Sequence, residues 1–260
     1  MCVSLFFFFF MRRRPPGSTQ SRSSAASDVY KRQELLAVSA MAGLGGATAV
    51  FVFNQSVRMG HFGYSNAIYR SSFLIPVVFS VVFFGATLNI VTMAGIALIV
   101  ASIFLVSWSN DAFAADPGEN NLLWFFMIIG AFALSGLPRI GQLIISAYKL
   151  HSLAYLFASY TFGFIPLFIF FLAWRKRPGA WALFYGILAA LASYVGVYCT
   201  IEALKQLPAA VVFPITLSAP ILLGMVISFL HREKIRPAGW IGVLAGICGI
   251  TILAVRIYTK

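Results

Sequence analysis

Charged residues are scarce in this sequence. Only 10% of its 260 residues are Asp, Glu, Lys or Arg, whereas 60% are hydrophobic. Soluble domains carry about 25% charged and about 45–50% apolar residues, so this chain has too few polar side chains to cover a soluble core. The mean hydropathy of +0.90 points the same way. The composition therefore predicts a membrane protein.

Acidic residues, histidines and cysteines are also few, which limits the chemistry. The chain has seven Asp and Glu, three His and three Cys. The cysteines show no CxxC or other ligand spacing, so we expect neither a disulfide framework nor a metal site. The sequence contains no Ser-His-Asp set, paired carboxylates or phosphate-binding loop. We therefore predict that the protein is not an enzyme, has no catalytic residues and uses no cofactor.

The net charge of +12 does not indicate a nucleic-acid partner. After residue 33 most charges lie between apolar runs, where Lys and Arg anchor helix ends to lipid headgroups. No basic stripe interleaved with aromatic residues occurs. The expected partner is the lipid bilayer, and no nucleic acid.

Eight apolar segments follow residue 34, and their length suits a helix crossing a bilayer core of roughly 30 Å. They are apolar on all sides instead of alternating, which favours helices over barrel strands. The loops are short, which predicts one bundle of antiparallel neighbours. The predicted helices are 35–57, 64–84, 88–107, 121–147, 152–174, 179–204, 209–230 and 238–257.

The first 33 residues differ from the rest of the chain. Their apolar run precedes the arginines at 12–14, the reverse of a signal peptide, and is too short to span a bilayer. A Pro-Pro-Gly turn at 15–17 and a Ser-rich tail rule out a regular helix. We expect residues 1–33 to be a non-native or disordered segment without a spanning helix. The alternative is a disordered basic cytoplasmic arm.

An internal repeat appears when the sequence is shifted by 147 positions. The ends of the first three predicted helices then coincide with those of the sixth, seventh and eighth. The displacement is five helices, an odd number, so the two copies point oppositely through the membrane. Such inverted repeats are typical of secondary transporters, whose substrate site lies near the midplane between the copies. The shift places Phe51 on Tyr198, Arg58 on Lys205, Ser71 on Ser218 and Gly95 on Gly242.

The second copy carries a recognisable set of motifs. Residues 208–214 read PAAVVFP, followed by LSAP at 217–220, REKI at 232–235 and then Gly242. These residues resemble the EamA-type module of the drug/metabolite transporter superfamily. The resemblance implies ten helices in two inverted repeats of five, transport of small metabolites, and a central cavity lined by helices of both repeats.

The resemblance also implies a division of the chain. Residues 34–108 are a partial first repeat of three helices, 109–120 a polar loop, and 121–260 a second repeat of five helices. We thus expect an all-α membrane protein with eight of ten helices, about two further spans being encoded upstream of Glu34.

The first copy departs from the pattern at two positions. Ala86 stands where the register predicts the acid equivalent to Glu233. Pro76 lies three positions away from the place that corresponds to Pro220. The loop acid is therefore a feature of the second copy alone.

Two arginines lie more than one turn inside predicted helices, where a charge costs about 2.5–3.5 kcal/mol on insertion scales. Arg70 shares a helix face with Asn66; it either contacts an anion or carboxylate in the pathway or snorkels to the near interface. Arg139 follows Pro138, which breaks the backbone hydrogen bonding as in transporter helices; it either lines the pathway or pairs structurally in a kinked helix. We expect both arginines to approach a shared, partly hydrated cavity.

The remaining candidates are two tyrosines, a proline and a glutamate. Tyr194 and Tyr198, four residues apart, form one stripe that is either a cavity wall or generic packing. Pro214 is assigned to the substrate pathway through the resemblance. Glu202 lies one turn before Lys205, and a local surface pair is favoured over a proton-coupling site.

These observations predict a secondary transporter or exporter of small metabolites or drugs. It would work by alternating access at the interface of two inverted repeats, in a bacterial inner membrane. The expected partners are a small-molecule substrate and lipid, and a homodimer is compatible with the sequence. The alternative is a non-transporting integral membrane subunit or assembly partner. A transporter predicts a water-accessible cavity, whereas a scaffold predicts a filled bundle.

Overall fold

A computed structural model describes residues 22–59, 62–110, 121–173, 179–230 and 237–258. The chain divides into a short unit, Met1–Glu34, and a main unit, Leu35–Lys260. The predictions for residues 1–21, for most of the polar loop and for the motif at 232–235 lie outside the described residues.

All regular structure in the described ranges is helical, and none of it is a strand. The helices are α1 (Arg22–Met59), α2 (Phe62–Arg70), α3 (Leu74–Phe84), α4 (Ile90–Asn110), α5 (Asn121–Ala147), α6 (Ser152–Ala173), α7 (Ala180–Leu204), α8 (Ala209–Leu230) and α9 (Pro237–Tyr258). Within these described ranges, six stretches are long and apolar enough to cross a membrane, one of them formed by α2 and α3 together. Two shorter apolar helices, Ile90–Val106 and Ala209–Ala219, complete the predicted eight. The prediction of an all-α membrane fold is confirmed.

The first helix begins earlier than predicted. Residues 22–34 are helical, although the Ser-rich composition there was expected to exclude a regular helix. That expectation was wrong for this stretch. Pro and Gly are absent from residues 18–34, and Ser costs only a few tenths of a kcal/mol per residue in a helix. Extending a formed helix by such residues is cheap, because the unfavourable step is nucleation.

The second membrane segment is broken by a 3₁₀ turn, Ser71–Phe73, between α2 and α3. Pro76 has no N–H to donate to the carbonyl of Ser72, so one bond of the regular ladder is missing. The hydroxyl of Ser71 donates to the carbonyl of Ala67 (2.8 Å), and that of Ser72 to the carbonyl of Tyr69 (2.6 Å). Side chains thus satisfy part of the backbone where the helix tightens.

Helices α4 and α9 pack together more extensively than any other described pair. A Cβ at Gly95 would lie 2.9 Å from Leu253, and one at Gly242 would lie 2.8 Å from Val106. Gly95 and Gly242 are 147 positions apart, and so are Val106 and Leu253. Each contact is therefore the repeat-related copy of the other. Two antiparallel helices that exchange equivalent contacts are related by a two-fold axis perpendicular to both, as an inverted repeat predicts.

Substitutions at these two glycines test the relation. We expect Gly95→Ile and Gly242→Ile each to lower the free energy of unfolding by about 1–3 kcal/mol, because both force a side chain into a closed interface. The two losses should be similar, since the sites are equivalent. Thermal unfolding of the purified protein measures them. Gly130→Ile in α5 is the control, because nothing lies within 4 Å of a Cβ there. A loss at one glycine only would contradict the two-fold relation.

Candidate functional site

A cavity of about 850 Å³ lies between helices of the main unit. Its walls come from six helices: α1, α2, α5, α6, α7 and α8. The volume falls in the range of about 300–1,000 Å³ that is common for small-molecule sites. This space is what the transporter prediction requires and what a tightly filled bundle would lack.

The cavity is lined from both copies of the internal repeat. Three pairs of lining positions are 147 residues apart: Gly46 with Ser193, Val50 with Val197, and Tyr69 with Thr216. The repeat therefore places equivalent positions on two sides of the same space. A site between inverted repeats is expected near the bilayer midplane.

Arg139 supplies the formal charge of the cavity. Among the described lining residues no other side chain is charged. One terminal nitrogen of its guanidinium, Nη1, donates to the hydroxyl of Ser72 (2.7 Å) and to the carbonyl of Ser135 in the preceding turn. Ser72 belongs to the 3₁₀ turn of the second membrane segment. The 3₁₀ turn between α2 and α3 thus holds the guanidinium of Arg139, which projects from α5, in place.

No carboxylate balances this charge among the side chains that the structure describes. The described salt bridge joins Lys205 to Glu202, with 2.7 Å between Nζ and Oε1. Glu202 also accepts a hydrogen bond from Ser152 (2.9 Å). This arrangement is the local pair predicted for Glu202, and none of its three residues lines the cavity.

The rest of the polar lining consists of hydroxyl and amide groups on an aromatic background. Tyr155 is buried, and its hydroxyl donates to the carbonyl of Pro138 (3.1 Å). The hydroxyls of Tyr160 and Ser193 share a hydrogen bond of 2.9 Å between α6 and α7. Gln142 lines the cavity one turn after Arg139. Such neutral groups can orient a substrate without fixing its charge.

Small residues bring the walls together. A Cβ at Gly43 of α1 would overlap the carbonyl oxygen of Ser159 and lie 2.8 Å from the backbone nitrogen of Gly163. A Cβ at Gly46 would lie 3.2 Å from the ring of Pro138. Glycine allows helix backbones to approach this closely where lipid gives no hydrophobic driving force. Close contact positions α5 and α6, and with them Arg139 and Tyr155.

The two predicted arginines differ in whether they line the cavity. Arg139 lines the cavity, whereas Arg70 is not among its lining residues. The Nε of Arg70 donates to Oδ1 of Asn66 at 3.0 Å, which joins these two predicted residues to each other. Tyr69, the neighbour of Arg70 in sequence, faces the cavity instead. A pathway role for Arg70 and Asn66 stays a prediction.

The other predicted residues lie beside the lining. The ring of Tyr194 packs on that of Tyr160, with 5.7 Å between centroids, and Tyr160 lines the cavity. Tyr198 follows the lining residue Val197, and Pro214 follows Phe213. Neither Tyr198 nor Pro214 is itself a lining residue.

Several lining residues were missed from sequence. They share a signal, because each is a polar residue three or four positions from another lining residue on one helix: Ser135 and Gln142 around Arg139, Tyr155 and Ser159, and Thr200 after Gly196. Spacing of this kind marks one face, but it does not tell a cavity from an interface. Only the packing distinguishes the two.

Comparisons with known proteins identify the family and the fold. A family profile described as "EamA-like transporter family" matches residues 1–108 and 122–255. A solved structure described as "Crystal structure of protein" is similar with a TM-score of 0.64 and 14% identity, covering 98% of this chain and 83% of that one. At this identity the likeness shows the fold alone. A search of curated proteins found no match. The profile covers nearly the whole chain, so this integral membrane protein belongs to the EamA-like transporter family, whose members are membrane transporters of small molecules.

Proposed function

We propose that this chain transports small organic molecules by alternating access, with the cavity as its substrate site. The observation that carries the proposal is the lining by repeat-related pairs, because a site shared by two inverted repeats can open to either side. Rocking one repeat against the other exchanges which end of the site is open.

The broken helix elements support this mechanism. Pro138 leaves the carbonyl of Leu134 without its usual helical donor, and the 3₁₀ turn interrupts the second segment. Irregular backbone at membrane depth is tolerated where it lines a cavity or is buried in protein. Both irregularities meet at Arg139, through its bond to Ser72. They are the places where small changes in backbone angle would let the two repeats move.

We propose a bacterial inner membrane as its location; apolar spanning helices support an inner membrane over an outer membrane, whose spanning proteins are barrels. Lipid and a small-molecule substrate are the partners proposed, and a homodimer is left to direct measurement. Transport, not catalysis, is the activity that the cavity and the family support.

Cysteine labelling tests alternating access without knowledge of the substrate. The three native cysteines are first replaced by serine. Gly196 lines the cavity and has open space where a side chain would project, so Gly196→Cys adds a thiol there without a clash. We expect a membrane-impermeant maleimide to label it from either side of the membrane, because the site opens alternately.

Gly186→Cys is the matched control on the same helix. It also has open space around its Cβ, but it does not line the cavity, so we expect no labelling from either side. Labelling of Gly196→Cys from one side only would contradict alternating access. Absence of labelling from both sides would favour the non-transporting subunit.

A further inference from the structure

The guanidinium of Arg139 has an edge that its protein contacts do not use. Arginine carries five N–H donors, and the two hydrogen bonds in the structure both come from Nη1. The Nε and Nη2 donors have no hydrogen-bond partner among the described residues. Together these atoms form the fork that binds a carboxylate through two parallel hydrogen bonds.

The described lining of the cavity carries a positive charge and no negative one. Arg139 is a cation in a membrane-embedded cavity, and the described lining contains no acid to neutralise it or to bind a cationic substrate. An anion that entered would gain two charge-assisted hydrogen bonds in a site of low dielectric, where such bonds are strong. An ammonium group would meet repulsion from the arginine and no compensating carboxylate. The electrostatics therefore select the sign of the ligand.

Most of the remaining lining is apolar or aromatic. The rings that line the space are those of Tyr69, Tyr155, Tyr160, Phe164 and Phe213. Aliphatic side chains of several helices complete these surfaces, which suit an uncharged organic body whose burial removes apolar area from water. On α5 the polar residues Ser135 and Gln142 lie one turn before and after Arg139, so the charged end of the site is also polar.

Resting on the proposed function, we infer that the substrates of this cavity are amphipathic organic carboxylates, held by the Nε–Nη2 edge of Arg139 with the apolar body among the aromatic rings. Ser72 acts as a positioning residue, because its hydroxyl accepts from Nη1 and leaves the Nε–Nη2 edge without a partner among the described residues. Bonds of Nη1 to Ser72 and Ser135 fix the plane of the guanidinium before a ligand arrives.

Binding of three probes of similar shape tests the sign of charge. 3-Phenylpropionate, its amide and 3-phenylpropylamine are titrated into the protein in lipid nanodiscs by calorimetry. We expect the carboxylate to bind about 10- to 100-fold more tightly than the amide, as a charge-assisted pair allows, and the amine to bind most weakly. Equal affinities, a preference for the amine, or no binding of the carboxylate would overturn the inference.

Variants then locate the preference. Arg139→Gln should bring the carboxylate and the amide to nearly equal affinity, whereas Arg139→Lys should keep the order with a smaller ratio, since it retains the charge but not the fork. Lys205→Gln, which removes a cation outside the cavity, should leave the ratio unchanged. An unchanged ratio in Arg139→Gln would overturn the assignment. If that variant does not fold, the wild-type probe comparison still decides.

The result is separable from the proposed function. Carboxylate preference together with one-sided labelling of Gly196→Cys would overturn alternating access and leave the anion site standing. Two-sided labelling with equal affinity for carboxylate and amide would support alternating access and overturn the anion site.

Discussion

Replacing Arg139 with leucine is expected to reduce uptake of 3-phenylpropionate into proteoliposomes strongly while leaving the protein folded. The loss should be about 10- to 100-fold at concentrations below saturation, because the variant removes a charge-assisted pair worth about 1.5–3 kcal/mol in binding. Folding should not suffer, since leucine relieves the cost of about 2.5–3.5 kcal/mol for an arginine within the membrane. Initial rates of labelled uptake measure the effect.

Arg70→Leu gives the comparison. The sequence predicted a pathway role for both arginines, but the structure lines the cavity with Arg139 and not with Arg70. The geometry therefore predicts a much smaller loss of uptake for Arg70→Leu. Thermal unfolding of both variants serves as the control for folding. Normal uptake by a folded Arg139→Leu variant would reduce this arginine to a structural anchor.

Gly43→Ala is expected to destabilise the protein strongly, although it adds only one methyl group. The added Cβ would overlap the backbone carbonyl of Ser159 and approach the nitrogen of Gly163. Backbone atoms cannot turn aside as a side chain can, so α1 and α6 must separate. Overpacking typically costs about 1–3 kcal/mol, and we expect a loss at the upper end. The midpoint of thermal unfolding and the yield of folded protein report it.

Gly186→Ala is the control for this substitution. It adds the same methyl group to a membrane helix where nothing lies within 4 Å of the new atom. Its unfolding midpoint should stay the same or rise, because alanine is the better helix former by about 1 kcal/mol. Equal stability of Gly43→Ala and wild type would show that α1 and α6 are not held in close backbone contact.

The helices were predictable because their cause is local. A run of apolar residues long enough to cross a bilayer must be helical to satisfy its own backbone, so 121–147 in the sequence coincides with α5 in the structure. The start of α1 was not predictable from Ser-rich composition, since a helix already nucleated extends through residues that would not begin one. The 3₁₀ turn was not predicted, because the sequence pattern did not reveal the effect of Pro76 on this segment.

The candidate site was only partly predictable. An arginine that follows a proline within an apolar run stands out in the sequence, and Arg139 does line the cavity. Arg70 gave a similar signal, yet its guanidinium bonds to Asn66 instead. Tyr194 and Tyr198 each stand next to a lining residue in sequence but are not lining residues themselves. The reason is that packing sets the rotation of a helix about its axis, and with it the face that lines the cavity. The sequence identified the membrane segments but not which face of each helix lines the cavity.

By itself, the sequence determined the class of protein and its membrane helices, and it predicted an inverted relation between its two copies. These follow from composition, from run length and from an odd displacement of five helices. The tertiary structure alone decided that equivalent positions such as Tyr69 and Thr216 face one cavity, and that Arg139 enters it without an acid among the described side chains. The physical reason is that solvation by lipid acts on each segment separately, whereas a site exists only where several packed segments fail to fill the space between them.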